Sequence, residues 1–258
     1  MKKYVILFIT LSLVYSCKPV NLKNSNSNTA SNNTSEEDVT IYFKATGNEP
    51  FWGIKIGKEK IVFTSLTEDK ETLTFTAAEP LKAMDANVKI YQVSNTTSSA
   101  KITIQKKECQ NTMSGIVSPF SVTIEIKSNT NNNLQTLKGC GQYITDYRLH
   151  DIWVLESLNG KNVEITDFQK ELPLVEIYAA ENKFLGYGGC NSITGTLFSE
   201  KDLLRFTNII STMMVCNGKN KEAEFIKALN STTSYTIENN RLSLSNSSGK
   251  LLVFRKVD

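Results

Sequence analysis

The chain is poor in the groups most catalysis relies on: of 258 residues one is histidine, two are tryptophan and five are cysteine. A single histidine, His150, cannot assemble a typical zinc or copper site without a second imidazole or free thiols, and no Cys-x-x-Cys is present to support metal transfer. No Gly-x-Ser-x-Gly elbow accompanies His150, and phosphate-cradling glycine loops are missing. The carboxylate run Glu36-Glu37-Asp38 lies in a polar stretch with nothing to position a substrate, which argues against glycosidase chemistry. No basic cluster tracks phosphates, so nucleic acid is not an expected partner. Cofactors are not expected either, and the chain reads as a non-enzyme.

What the chain does have begins at its amino end. Lys2 and Lys3 precede an apolar stretch from Tyr4 to Val14, followed by Tyr15, Ser16 and Cys17. The stretch is far shorter than the roughly 20 residues a spanning helix needs. It reads as a lipoprotein signal peptide over 1–16, cleaved before a lipidated Cys17, although Tyr15 stands where a small residue is usual. The acyl chains would then anchor the protein to a membrane. Loss of Lys2 and Lys3 brings the 29 basic and 26 acidic side chains close to balance. Lys18 is not the aspartate associated with inner-membrane retention, and the outer membrane, periplasmic side, is the expected location. Residues 17–38, rich in Asn, Ser and Thr, read as a disordered tether with a span of roughly 25 Å.

About 220 residues remain, enough for two domains of about 110 each, placed at 39–147 and 148–258 with the boundary near Tyr147 to His150. Export makes disulfides the expected state of the other cysteines. Four cysteines allow three connectivities. Local pairs, Cys109 with Cys140 and Cys190 with Cys216, are favoured, each contributing roughly 3.5 kcal/mol. In the first domain, alternation predicts strands at 39–45, 54–56, 60–63, 72–75, 88–93, 100–104 and 120–126, with Asn129 to Asn133 as a hairpin tip. In the second it predicts strands at 151–158, 173–179, 183–187, 192–198, 203–206, 234–237, 242–245 and 251–255. One helix is expected over 219–230, capped by Asn217 or Asn220, with Glu222 and Glu224 near its positive end and Phe225, Ile226 and Leu229 on its apolar face. The expected class is mainly β: two antiparallel barrels or sandwiches, the second α+β with a packed helix.

Four segments of the second half occur in a telling order: Trp153-Val154-Leu155-Glu156-Ser157-Leu158-Asn159-Gly160, Gly186-Tyr187-Gly188-Gly189-Cys190-Asn191, Ile210 to Cys216, and the helix with Glu222 and Phe225. Over about 149–257 they resemble the META domain, the family of the heat-shock lipoprotein HslJ, which implies an envelope module tied to stress tolerance without established enzymatic activity. The glycines before Cys190 suit a bulge or close backbone approach, and Asn191 can hydrogen-bond the turn that follows. Alternatively Asn191, Thr212 and Met213 line a ligand groove beside the bridge. In the first half, Ala45 to Trp52 and Cys109 to Gly115 resemble a poorly characterised group of bacterial envelope lipoprotein domains. The residues around Ser114 are similar to the membrane-bound C-type lysozyme inhibitors. Glu49, Phe51 and Trp52 could form a recognition surface, or Trp52 could plug a barrel end while Glu49 satisfies nearby backbone. The sequence thus points to an envelope protein that binds a protein or small molecule, the alternative being an inhibitor of lysozyme or another hydrolase.

Overall fold

The computed structural model describes residues 41–65, 71–84, 86–129, 133–216 and 220–257. Cys17, the leader, the spacer, Glu36 to Asp38 and Asn217 lie outside the described residues. No helix among the described residues is long and apolar enough to cross a membrane. Over the described residues the fold is mainly β, with two domains and one packed helix.

The first domain contains β1 (Ile41–Asn48), β2 (Phe51–Gly57), β3 (Lys60–Ser65), β4 (Thr72–Thr76), β5 (Leu81–Lys82), β6 (Val88–Ser94), β7 (Ser98–Gln105), β8 (Cys109–Gln110), β9 (Val117–Ser118), β10 (Phe120–Ser128) and β11 (Leu134–Tyr143). Nine of them form one antiparallel sheet in the order β4-β3-β2-β1-β11-β10-β7-β6-β5, and β8 and β9 form a separate hairpin. The sheet curls into a barrel that no strand pairing among the described residues closes: Asn95, just past β6, donates to the Thr74 carbonyl on β4 at 3.0 Å. Period-two alternation puts Phe43 and Ala45 inside and Lys44 and Thr46 outside. The central strand β11 has no counterpart among the strands expected from alternation. Its Lys-Gly-Cys-Gly run breaks the pattern because the interior is filled from elsewhere. A Cβ on Gly139 would stand 2.6 Å from the Trp52 ring and 2.2 Å from the Thr46 carbonyl, and one on Gly47 would meet Trp52 Nε1 at 2.1 Å. Trp52, 1% exposed, fills the space those two side chains leave. It stacks near Phe63 at 6.3 Å.

The second domain contains β12 (Ile152–Leu158), β13 (Lys161–Asn162), β14 (Leu174–Tyr178), β15 (Lys183–Tyr187), β16 (Ser192–Glu200), β17 (Leu203–Ser211), α1 (Glu222–Asn230), β18 (Ser234–Glu238), β19 (Arg241–Asn246) and β20 (Gly249–Lys256). Here β12 pairs with β20 as well as β14, which closes β12 and β14 to β20 into a barrel, with β13 as a short extension. Closure removes the open edges that would otherwise invite pairing with another chain. β17 and β18 meet only at Leu203 and Ser234, and α1 lies between them in the chain. Phe225, Ala228 and Leu229 turn from α1 into the barrel core, where Phe225 meets Phe254 edge-on at 6.2 Å. The helix starts later than the expected 219. Asn220 accepts the Glu222 amide hydrogen at 2.9 Å.

Each barrel has its own apolar core, and both fall within one compact unit. They meet through polar groups. At the β16–β17 tip, Glu200 pairs with Lys89, Lys201 with Glu79, and Asp202 with Lys58. Lys89 Nζ also donates to the Tyr143 hydroxyl at 2.8 Å and stands 5.0 Å from that ring's centre. The buried Tyr42 and Tyr91 hydroxyls lie 3.4 Å apart. Burial raises the pKa of Tyr42, Tyr91 and Tyr143 above the ordinary phenol value, and the Glu200 charge adds to each shift. Tyr235 donates to Asp146 at 3.1 Å.

Candidate functional site

The larger candidate site is a groove on the outside of the first barrel. Cys109 and Cys140 form a disulfide with Cα atoms 5.4 Å apart. It pins the β8–β9 hairpin over the outward face of β11. Asn48, at the end of β1, donates to Asn111 Oδ1 at 2.8 Å, and Asn111 Nδ2 returns a bond to Asn48 Oδ1 at 3.2 Å. Asn111 Oδ1 also accepts the amide hydrogens of Met113 at 3.0 Å and Ser114 at 2.9 Å, so the loop is braced as an Asx turn. Beneath it lies a space of about 640 Å³ whose lining includes Asn48, Glu49, Lys107, Asn111, Thr112 and Lys138. That volume is in the range of small-ligand sites, and the lining sets amide, hydroxyl and charged groups of both signs beside a comparable apolar share from Val122, the glycines and the disulfide. It offers hydrogen bonds and charge to a polar ligand.

Of the residues expected to form a ligand surface here, Glu49 lines the groove, Phe51 is exposed nearby in sequence, and Ser114 stands on the exposed loop outside the lining. Trp52 does not belong to that surface: it is interior, and its indole N–H has no hydrogen-bond partner among the described residues. An indole packed between glycine backbones gains area at the expense of that bond.

The second candidate is a knot of buried polar groups at the mouth of the second barrel. Glu222 is buried in the first turn of α1. Its Oε1 accepts from the amides of Asn191 at 2.6 Å and Cys190 at 3.3 Å, and Oε2 accepts from Asn191 Nδ2 at 2.8 Å. Three donors directed at one carboxylate compensate its removal from water. Gly188 makes the approach feasible, because a Cβ there would stand 2.6 Å from Glu222 Oε1; Gly189 takes φ +111°, where other residues are strained. Asn191 passes the constraint on: its Oδ1 accepts from Thr212 Oγ1 at 2.9 Å and the Met214 amide at 2.7 Å. The Cys190–Cys216 disulfide closes the far end of that loop. Asn191 is therefore a buried brace, not a groove lining, whereas Thr212 and Met213 are exposed.

Cys190, Cys216 and Glu222 offer ligand atoms within 4.8 Å of one another, but sulfurs bonded to each other do not provide thiolates. Burial raises the Tyr187 phenol above its ordinary pKa, with the charges of Glu171 and Glu222 adding to the shift. The role of Glu222 exceeds the expected helix-dipole contact. The signal for it is its position: Glu222, Phe225 and Leu229 share one face, so a carboxylate stands on the apolar stripe.

His150 lines a smaller cleft of about 300 Å³ with Tyr147, Arg148, Asp151 and Lys256. Arg148 is engaged by Asp146 at 2.6 Å and Lys256 by Asp151 at 2.7 Å. No serine, threonine or cysteine is among the described residues lining it, so a histidine-activated nucleophile has no candidate there.

Residues 149–258 match the META domain family model, in agreement with the four motifs of this half. No curated protein is significantly similar to the chain. A solved NMR structure shares 22% identity over 42% of this chain and 90% of its own, with a TM-score of 0.34.

Proposed function

We propose that this META-domain protein is a non-enzymatic envelope lipoprotein, anchored through Cys17 at the periplasmic face of the outer membrane, whose first barrel captures a polar ligand. The observation that carries the reading is the braced groove beside Cys109–Cys140, with its amide and hydroxyl lining. Glycan strands and peptide stems of the cell wall present the matching chemistry: many hydroxyls and amides, and charges of both signs. The test is amide-shift mapping of the full two-barrel unit with soluble cell-wall fragments. Perturbations should cluster at Asn48, Glu49, Asn111 and Thr112, and Asn111→Ala should weaken them. Shifts scattered away from the groove, or turnover of the fragments by purified protein, would sink the proposal.

A second reading is supported by the loop itself. Met113 to Ile116 projects from the hairpin with its backbone fixed by Asn111, a convex shape suited to entering an enzyme's cleft. The chain would then inhibit lysozyme or another hydrolase. Full lysozyme activity in the presence of micromolar protein removes that reading.

A further inference from the structure

The knot around Glu222 supports a loop whose side chains should not face water. Met213 is 99% exposed, Val215 85% and Ile210 67%. Leu185 and Ile210 stand on the outward face of the same barrel wall, in register across Thr194. Yet the segment is firmly held: Asn191 bonds Thr212 and Met214, Glu222 bonds Asn191, and Cys216 is tied to Cys190. A loop that only connected two elements would not require a buried carboxylate and a disulfide to display methionine and valine to solvent. Contiguous exposed apolar side chains on a rigid support mark a contact surface.

We infer that the Ile210 to Val215 loop is a lipid-contacting surface that rests the second barrel on the bilayer. Two observations select lipid. No charged residue occurs from Phe206 to Gly218, so entering the headgroup region strips no ion of water. Resting on the anchored reading, a chain held at Cys17 by the 18–38 spacer, whose r.m.s. span as a coil is roughly 25 Å, holds the barrels close to lipid on average. At that effective concentration a few shallowly inserted side chains suffice, although the same loop would bind a vesicle weakly from free solution. Methionine suits the task, since its flexible thioether conforms to an irregular interface.

The test supplies the anchor artificially, so that its result does not depend on Cys17. The chain from Lys18 onward, carrying an amino-terminal histidine tag, is held on phosphatidylcholine vesicles by a nickel-chelating lipid. An environment-sensitive dye is attached through Met213→Cys or, as control, through Lys127→Cys on the first barrel. The dye at 213 should shift to the blue and be quenched by shallow spin-labelled lipid roughly twofold or more above the control. The effect should persist in high salt and fall to the control level with Val215→Asp. A dye at 213 that stays aqueous on the vesicle, or a shift that Val215→Asp leaves intact, overturns the inference. So does a shift that appears without vesicles and grows with protein concentration, which would assign the loop to a second copy. Fractionation of cells carrying Cys17→Ala tests the anchor separately.

Discussion

Glu222 illustrates how one side chain can organise several segments. Its carboxylate only accepts, and it receives backbone and amide hydrogens from both residues following Gly189. Replacing it with glutamine keeps the volume but turns an NH₂ toward one set of donors. Glu222→Gln should lower unfolding stability by about 1.5–3 kcal/mol, read from urea titration, the range for hydrogen bonds to a charged group. A second expectation concerns empty space. Gly139→Ala places a methyl group 2.2 Å from the Thr46 carbonyl and 2.6 Å from Trp52, whereas Gly53→Ala meets nothing within 4 Å. The first should cost about 1–3 kcal/mol in thermal unfolding, the second much less. These glycines also show what the sequence leaves hidden. Composition marks Gly139 as a strand breaker, but only the position of Trp52 reveals it as a cavity wall.

At the scale of elements, the β8–β9 hairpin depends on its disulfide. It pairs with itself through two residues per strand, too little to be stable alone. Converting Cys109 and Cys140 together to serine should release it from β11. Hydrogen exchange should rise over 107–118 while β1 and β10 stay protected, with roughly 3.5 kcal/mol lost overall. The local pairing of all four cysteines was legible from their order and spacing, and so were strands with clean alternation, such as β7, β10 and β14. β11 was not legible: glycines at 139 and 141 take inward positions whose volume Trp52 and Phe43 occupy. Strand periodicity records a residue's own side chain, not one supplied by a neighbouring strand. The late start of α1 has a related cause, since Glu222 is drawn into the Cys190–Asn191 turn and sets the first helical residue.

At the scale of the molecule, two self-sufficient cores are joined by ion pairs and phenols, so the junction should respond to charge before either barrel does. Replacing Glu200 by glutamine leaves Lys89 confined beside Tyr143 without its partner. In calorimetry the parent chain should unfold in one transition and Glu200→Gln in two, and Lys89→Met added to Glu200→Gln should recover part of the loss. The phenols set a pH limit. Tyr42, Tyr91, Tyr143 and Tyr235 have raised folded pKa values, caused first by burial. Their contribution is complete below the unfolded phenol value of about 10 and is lost as pH rises from there through the folded values, because the unfolded chain releases its protons first. Urea midpoints should therefore fall steeply above about pH 10, and Tyr91→Phe should reduce the slope. Between these regions runs the β16–β17 hairpin, with Glu200 and Lys201 at one end and Ser192 and Ser211 at the other. With nine residues in each strand it measures roughly 30 Å. It acts as a ruler: deleting two facing pairs of residues, which keeps the inward and outward faces in phase, would draw the apolar loop toward the first barrel by a fixed step, and under the lipid-contact inference the hairpin's length would set how far the polar groove stands from the bilayer.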